Sequence, residues 1–241
     1  MKQPSLLRGA GYLFTGLKLL TNPGLRNFII APVLIGTLLF ATGTWIAAHY
    51  VLVWSEWLNS QLPGWLQWME WILIPLLFLS AGTLLFSTLG SLANLIGAPF
   101  NALLAQQIEI HLTGAPAPQT TSFMETLFPT IRSEIQKIFY YLARAIPLLL
   151  LFVVPVANVA APFLWTLFSC WMNAFQYTDF PMGNNNLYDK EILANLREKR
   201  LLSIGFGAAT LVMTLIPVVN FLVMPAAVAG ATAMWVEEWR R

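Results

Sequence analysis

Charged residues are absent from four long stretches of this chain: between Asn27 and Ser55, Glu70 and Glu109, Arg144 and Asp179, and Arg200 and Glu237. A helix crossing a bilayer needs about 20 apolar residues. The first stretch therefore reads as one crossing, residues 28–54. The second holds a crossing at 71–95 that continues as helix to about residue 113, with Gly97 and Pro99 expected to break or kink it. The third and fourth, 145–178 and 201–236, are too long for one helix and short for two full crossings with a turn. Each carries proline and asparagine near its middle: Pro155, Asn158 and Pro162 in one, Pro217, Asn220 and Pro225 in the other. Helices that enter a membrane, break and return usually line a cavity, because lipid cannot satisfy the freed backbone groups.

Charge alone does not separate two spans plus two hairpins from six short spans, since either returns the basic loops to one side. Arm length favours hairpins that penetrate part-way. Breaks at Pro155 and Pro162 leave arms of about 10 and 16 residues, and at 1.5 Å per residue the shorter reaches about 15 Å, half the hydrocarbon core. The segment Val154-Pro155-Val156-Ala157-Asn158 also echoes Ile216-Pro217-Val218-Val219-Asn220, which reads either as an internal repeat or as two uses of common turn residues.

The polar segments supply the rest. In residues 4–21, Leu6, Ala10, Leu13, Leu17 and Leu20 lie at helical spacing, giving an amphipathic helix for the membrane interface or for packing on the protein's own helices. Residues 115–144 and 179–200 form a small cytoplasmic helical head. There Ser122 begins a capping box, Ile131, Ile135, Ile138 and Leu142 mark an apolar stripe, and Asp179–Asn186 is a polar loop. Asp189 is placed to cap a helix that turns Ile192, Leu193 and Leu196 inward and leaves Arg197, Lys199 and Arg200 solvated. The fold class is an all-α integral membrane protein: two transmembrane helices, two re-entrant hairpins, the amphipathic helix and the head, within one membrane domain spanning 1–241.

Composition agrees, with 57% apolar and 10% charged residues and a mean hydropathy of +0.66. Soluble domains carry nearer 25% charge. Between Ser55 and Trp71 there is no Lys or Arg but there are Trp54, Trp57, Trp65, Trp68 and Trp71 at or near the segment, as expected at an outer headgroup layer. The basic residues fall before residue 28, between 109 and 144, between 179 and 200, and at Arg240 and Arg241, which makes those segments and both ends cytoplasmic. A net charge of +2 implies no nucleic-acid partner, and Cys170 stands alone without a disulfide framework or thiolate metal site. No metalloprotease HExxH, phosphate loop or nucleophile elbow is present, so no catalytic residue and no cofactor are assigned, and the bilayer is the evident partner.

The most informative junction is Thr21-Asn22-Pro23-Gly24-Leu25-Arg26-Asn27. Asn22 suits a cap, Pro23 a first helical position, and Gly24 lets a ligand approach the backbone. Free N–H groups at a helix start, with the Arg26 guanidinium beside them, would suit an oxyanion. The alternative is a helix-breaking turn with Arg26 as a positive-inside anchor.

These residues, together with Ala98-Pro99-Phe100-Asn101 through Glu109 and Met224-Pro225-Ala226 through Trp235, resemble the CysZ family of bacterial sulfate permeases. The likeness runs in order over nearly the whole chain. It implies an inner-membrane, multi-pass protein of assembled protomers that takes up sulfate for cysteine synthesis. It further implies that Gly24, Leu25 and Arg26 bind sulfate, with Asn27 standing where relatives often have a second arginine and Gln106 where many have Glu. On that reading Asn94, Asn101, Gln106 and Glu109 are candidate pore lining or gate. Glu109 repels anions and is expected to pair with an arginine such as Arg132 or Arg144, as a gate or as a structural pair at the head. A channel for another small anion and a non-transporting membrane scaffold are the competing functions.

Overall fold

The computed structural model describes residues 4–25, 27–61, 63–115 and 123–240, and among these the chain is helical without strands. The helices are α1 (Leu6–Leu19), α2 (Asn27–Gln61), α3 (Glu70–Thr113), α4 (Phe123–Leu151), α5 (Ala161–Asn184), α6 (Asp189–Glu198), α7 (Arg200–Thr214) and α8 (Pro217–Glu238). They divide into two compact units, Phe28–Phe100 and Met1–Asn27 with Asn101–Arg241.

The Phe28–Phe100 unit holds two helices long and apolar enough to cross a membrane. Within α2 the segment Leu34–Leu58 has a mean hydropathy of 1.4, and within α3 the segment Trp71–Leu89 reaches 2.1. Almost none of either is buried by protein, so these apolar surfaces require a non-aqueous neighbour. The α2 helix outruns the expected end at residue 54 and continues to Gln61, followed by a 3-10 turn over Gly64–Met69. Trp54, Trp57, Trp68 and Trp71 are exposed around this connection. A Cβ on Gly43 would strike the Leu89 side chain, so that glycine seats one helix on the other. Among the described residues no such neighbour faces Gly36. At Gly97 and Pro99, where a break or kink is expected, the helix is not interrupted: α3 continues from Glu70 to Thr113. A proline deletes one ladder hydrogen bond, which a long helix survives when the rest of the ladder is kept.

In the other unit α1 takes the second of its two expected placements, packing on the protein's own helices. It docks into the angle between α7 and α8. Of the expected leucine face only Leu13 is fully buried, while Leu6, Leu7 and Phe14 are exposed. The true inner face is Gly9, Tyr12, Leu13 and Gly16. Glycines make the contact on each partner: a Cβ on Gly9 would collide with the Leu202 carbonyl of α7, and one on Gly205 with the Leu6 carbonyl of α1. Likewise a Cβ on Gly16 would collide with the Ala226 carbonyl of α8, and one on Gly230 would lie 2.5 Å from the Tyr12 carbonyl. Small residues let helix backbones approach this closely. The alanine-rich run Ala226–Ala233 of α8 is fully or nearly fully buried for the same reason.

A hydrophobic cluster joins α5, α6 and α8 around Phe175, Met182, Ile192, Leu193, Leu196 and Trp235. The inward set on α6 is the one its spacing predicts. Asp189 is the first residue of α6 rather than its cap; Tyr188 precedes the helix, and its N–H donates to Glu191 Oε2 at 3.0 Å. The polar loop begins later than expected, because α5 continues through Asp179 and Pro181 to Asn184. Asp179 is held there by Lys137 of α4 at 2.5 Å. Lys199 is not solvated but half-buried against Glu238, at 2.8 Å. Ile135, Ile138 and Leu142 lie exposed on α4, continued by Ile146, Leu149 and Leu150. Ser122 and Ile131 fall outside the described residues and side chains.

Two sharp returns connect the remaining helices, at 152–160 and at Leu215–Ile216. They are not equivalent. Asn158 sits in a 3-10 turn at the first tip, whereas Pro217 opens α8 and Pro225 lies inside it. Proline at a first helical position is pre-set for helix, so the second return needs only two residues. The first tip is strongly apolar and exposed, with Val153, Val156, Val159 and Phe163 all more than 70% accessible.

Candidate functional site

The Thr21–Asn27 junction is a tight link between α1 and α2. The Thr21 hydroxyl donates to the Lys18 carbonyl at 2.7 Å, and the Leu25 N–H to the Asn22 carbonyl at 3.1 Å. Pro23–Leu25 forms a single 3-10 turn, and α2 begins at Asn27. Helix starts leave their first N–H groups unpaired. The Asn22 side-chain amide lies 3.4 Å from His111 Nε2 at the end of α3. Gly24 is exposed, with open space where a Cβ would stand. Leu25 is buried and anchors the turn, so its side chain is turned away from any ligand in solution. Arg26 and the side chain of Asn27 lie outside the described residues.

The polar positions on α3 part company. The Asn94 side chain is outside the described set and belongs to the other unit. Asn101 is buried and its amide reaches Met224 Sδ at 3.3 Å. Gln106 is half-buried. Glu109 is fully buried and is the centre of a charged cluster. Its Oε1 lies 3.0 Å from Arg240 Nη1, and the Asn185 amide donates to both carboxylate oxygens at 3.0 Å. The same Arg240 nitrogen donates to the Thr113 hydroxyl at 2.8 Å, one helical turn along α3. Asn184 adds a 2.8 Å bond to the Ala102 carbonyl. The partner of Glu109 is thus Arg240, and not Arg144, whose guanidinium lies 3.5 Å over the Tyr140 ring. The Arg132 side chain is outside the described set. No sequence spacing links residue 109 to 185 and 240. The signal available was chemical: a carboxylate within an apolar region must find a cation.

A second ionic cluster locks α1 to the ends of α7 and α8. Arg8 pairs with Glu238, and Lys199 Nζ reaches Glu238 Oε2 at 2.8 Å and the Glu238 carbonyl at 2.7 Å. The Tyr12 hydroxyl lies between Glu237 Oε2 at 2.8 Å and Glu238 Oε1 at 2.7 Å, donating its one proton to either. Burial pushes the Glu238 carboxyl up, but Lys199, Tyr12 and Arg8 outweigh it and hold it below the usual carboxylate range. Burial, then the bonds to Glu238 and Glu237, push the Tyr12 hydroxyl far above its ordinary value.

The family described as Sulfate transporter CysZ/Etoposide-induced protein 2.4 matches residues 12–225. Among curated proteins, the chain is 42% identical over 235 residues to the Sulfate transporter CysZ of Salmonella typhimurium, covering 96% of this chain and 93% of the relative. It is 43% identical over 236 residues to the Sulfate transporter CysZ of Pseudomonas fluorescens, covering 97% and 94%.

Proposed function

The chain belongs to the Sulfate transporter CysZ/Etoposide-induced protein 2.4 family, and on that premise we propose that it carries sulfate across the bacterial inner membrane to supply cysteine synthesis. It is a transporter and not an enzyme. The observation that carries this reading is the near full-length identity with proteins named for sulfate transport.

Within it, sulfate binds at the Gly24–Asn27 junction. Support comes from the open backbone at Gly24 and from the long helix α2 that follows the junction, since the unpaired N–H groups and positive dipole end at a helix start favour a dianion. Arg26 supplies the guanidinium and Asn27 a neutral donor. Leu25 serves by fixing the turn. Asn94, Asn101, Gln106 and Glu109 are polar positions along the route that sulfate takes.

The two helical returns dip part-way into the bilayer from the cytoplasmic side. The lipid-like part of α5, residues 162–169, rises only about 12 Å before the helix enters the head, less than half of the hydrocarbon core. Both ends of the chain are cytoplasmic, and several copies assemble in the membrane, since the helices of the Phe28–Phe100 unit offer long apolar flanks.

Calorimetry of the purified protein with sulfate tests the site. Arg26→Ala weakens binding at least tenfold, the worth of one hydrogen bond to a charged group at the low end of about 1.5–3 kcal/mol. Undiminished binding would remove Arg26 from the site. Chloride, phosphate and sulfite in competition decide the substrate: displacement of sulfate by chloride at equal concentration would favour a general anion channel.

A further inference from the structure

Glu109 is a carboxylate with no exposed surface, and its single charged neighbour among the described residues is Arg240. Its other contacts are the two bonds from Asn185. Arg240 is differently placed. It follows the end of α8, its backbone N–H still bonded to the Trp235 carbonyl at 3.0 Å, and its side chain is 22% exposed. Only Nη1 is engaged, by Glu109 and Thr113. A guanidinium carries five N–H donors. The hydrogens on Nε and Nη2 make no bond to any described residue.

We infer that Arg240 is a second sulfate-contacting residue, and that Glu109 is the resident anion which occupies it when sulfate is absent. The proposal rests on the sulfate-transport reading above and deepens it. A guanidinium fork accepts two oxygens of a sulfate as it accepts those of a carboxylate, so the two anions compete for one group. Arginine side chains turn about several flexible bonds, and this one reaches solvent. When it turns, Asn185 remains on both oxygens of Glu109, so the buried carboxylate keeps hydrogen-bond donors through the exchange. Losing every partner at once would be costly for a buried charge. An arginine partly occupied by its own carboxylate binds an outside anion with an affinity reduced by the fraction so occupied. That lowers affinity and makes release easier, as a transporter requires.

Sulfate titrations of the purified full chain and four-way flux comparison test this with wild type, Glu109→Gln, Arg240→Gln and the double variant. Removing the competitor, Glu109→Gln binds sulfate on the order of tenfold more tightly, and Arg240→Gln on the order of tenfold more weakly. The double variant matches Arg240→Gln, because the glutamate acts only through the arginine. If Glu109→Gln binds no tighter, or tightens binding equally without Arg240, the inference fails while sulfate transport stands. If wild type neither binds nor moves sulfate, the transport reading fails first. Should a variant fold poorly, modification of wild-type Arg240 by phenylglyoxal, mapped by mass spectrometry, gives the same decision. Saturating sulfate slows that modification; an unchanged rate overturns the proposal.

Discussion

Replacing Gly9 and Gly11 by alanine, one at a time, separates helix propensity from backbone packing within a single helix. Both residues lie in α1, and alanine gains about 0.5–1 kcal/mol over glycine at either. At Gly11 no atom stands within 4 Å of the added Cβ. Gly11→Ala should therefore be neutral or stabilising by up to about 1 kcal/mol. At Gly9 the added Cβ meets the Leu202 carbonyl and lies 2.8 Å from the Phe206 nitrogen. Both are backbone atoms of α7 and neither rotates away. Relief requires α1 to move off α7, a strain of about 1–3 kcal/mol. The two variants should thus differ by about 1–3 kcal/mol, or about 4–8 °C for a 2 kcal/mol gap in a chain of this size. Heating detergent-solubilised protein and following the folded fraction by fluorescence-detected size exclusion gives the two midpoints. Equal midpoints would refute the glycine-mediated docking of α1.

The ionic cluster makes two pH statements of opposite sign. Because the Glu238 carboxyl is held below its ordinary range, its stabilisation is complete above the unfolded carboxylate value and is lost as pH falls through the folded one; Glu238→Gln should remove this acid sensitivity in a thermal midpoint against pH. The Tyr12 hydroxyl is held above its ordinary value, so its contribution is present below about pH 10 and fades only in stronger alkali. Tyr12→Phe should cost about 1.5–3 kcal/mol at neutral pH, and a midpoint unchanged from wild type would discount the cluster. For the hairpins, Val156→Cys in intact membranes should resist a charged maleimide from either side, while Lys190→Cys on the exposed face of α6 reacts. Equal labelling rates would place the first tip in water.

What the sequence revealed and what it hid follow from the range of the forces involved. The uncharged stretches identify a membrane protein and locate two spans, because bilayer thickness imposes a length on any crossing. The inward set Ile192, Leu193 and Leu196 was legible because one helix period decides it. The docking face of α1 was not. Leucine spacing pointed to Leu6, Leu17 and Leu20, but close approach to α7 and α8 selects for absence of side chain, so Gly9 and Gly16 decide the orientation. Prolines gave a mixed signal: Pro99 and Pro225 lie within helices that continue past them, whereas Pro162 and Pro217 stand at helix starts. The Gly24–Arg26 junction was visible as punctuation, and the structure places a 3-10 turn over Pro23–Leu25 there, between α1 and α2. The pairing of Glu109 with Asn185 and Arg240 joins three distant segments, and no local pattern announces a contact of that kind.

The central claim is sulfate transport, and flux measures it most directly. Purified protein reconstituted into liposomes is given radiolabelled sulfate outside, and internal label is counted over time against protein-free liposomes. The account predicts saturable uptake above the protein-free control, reduced by Arg26→Ala. Uptake indistinguishable from protein-free liposomes would contradict it.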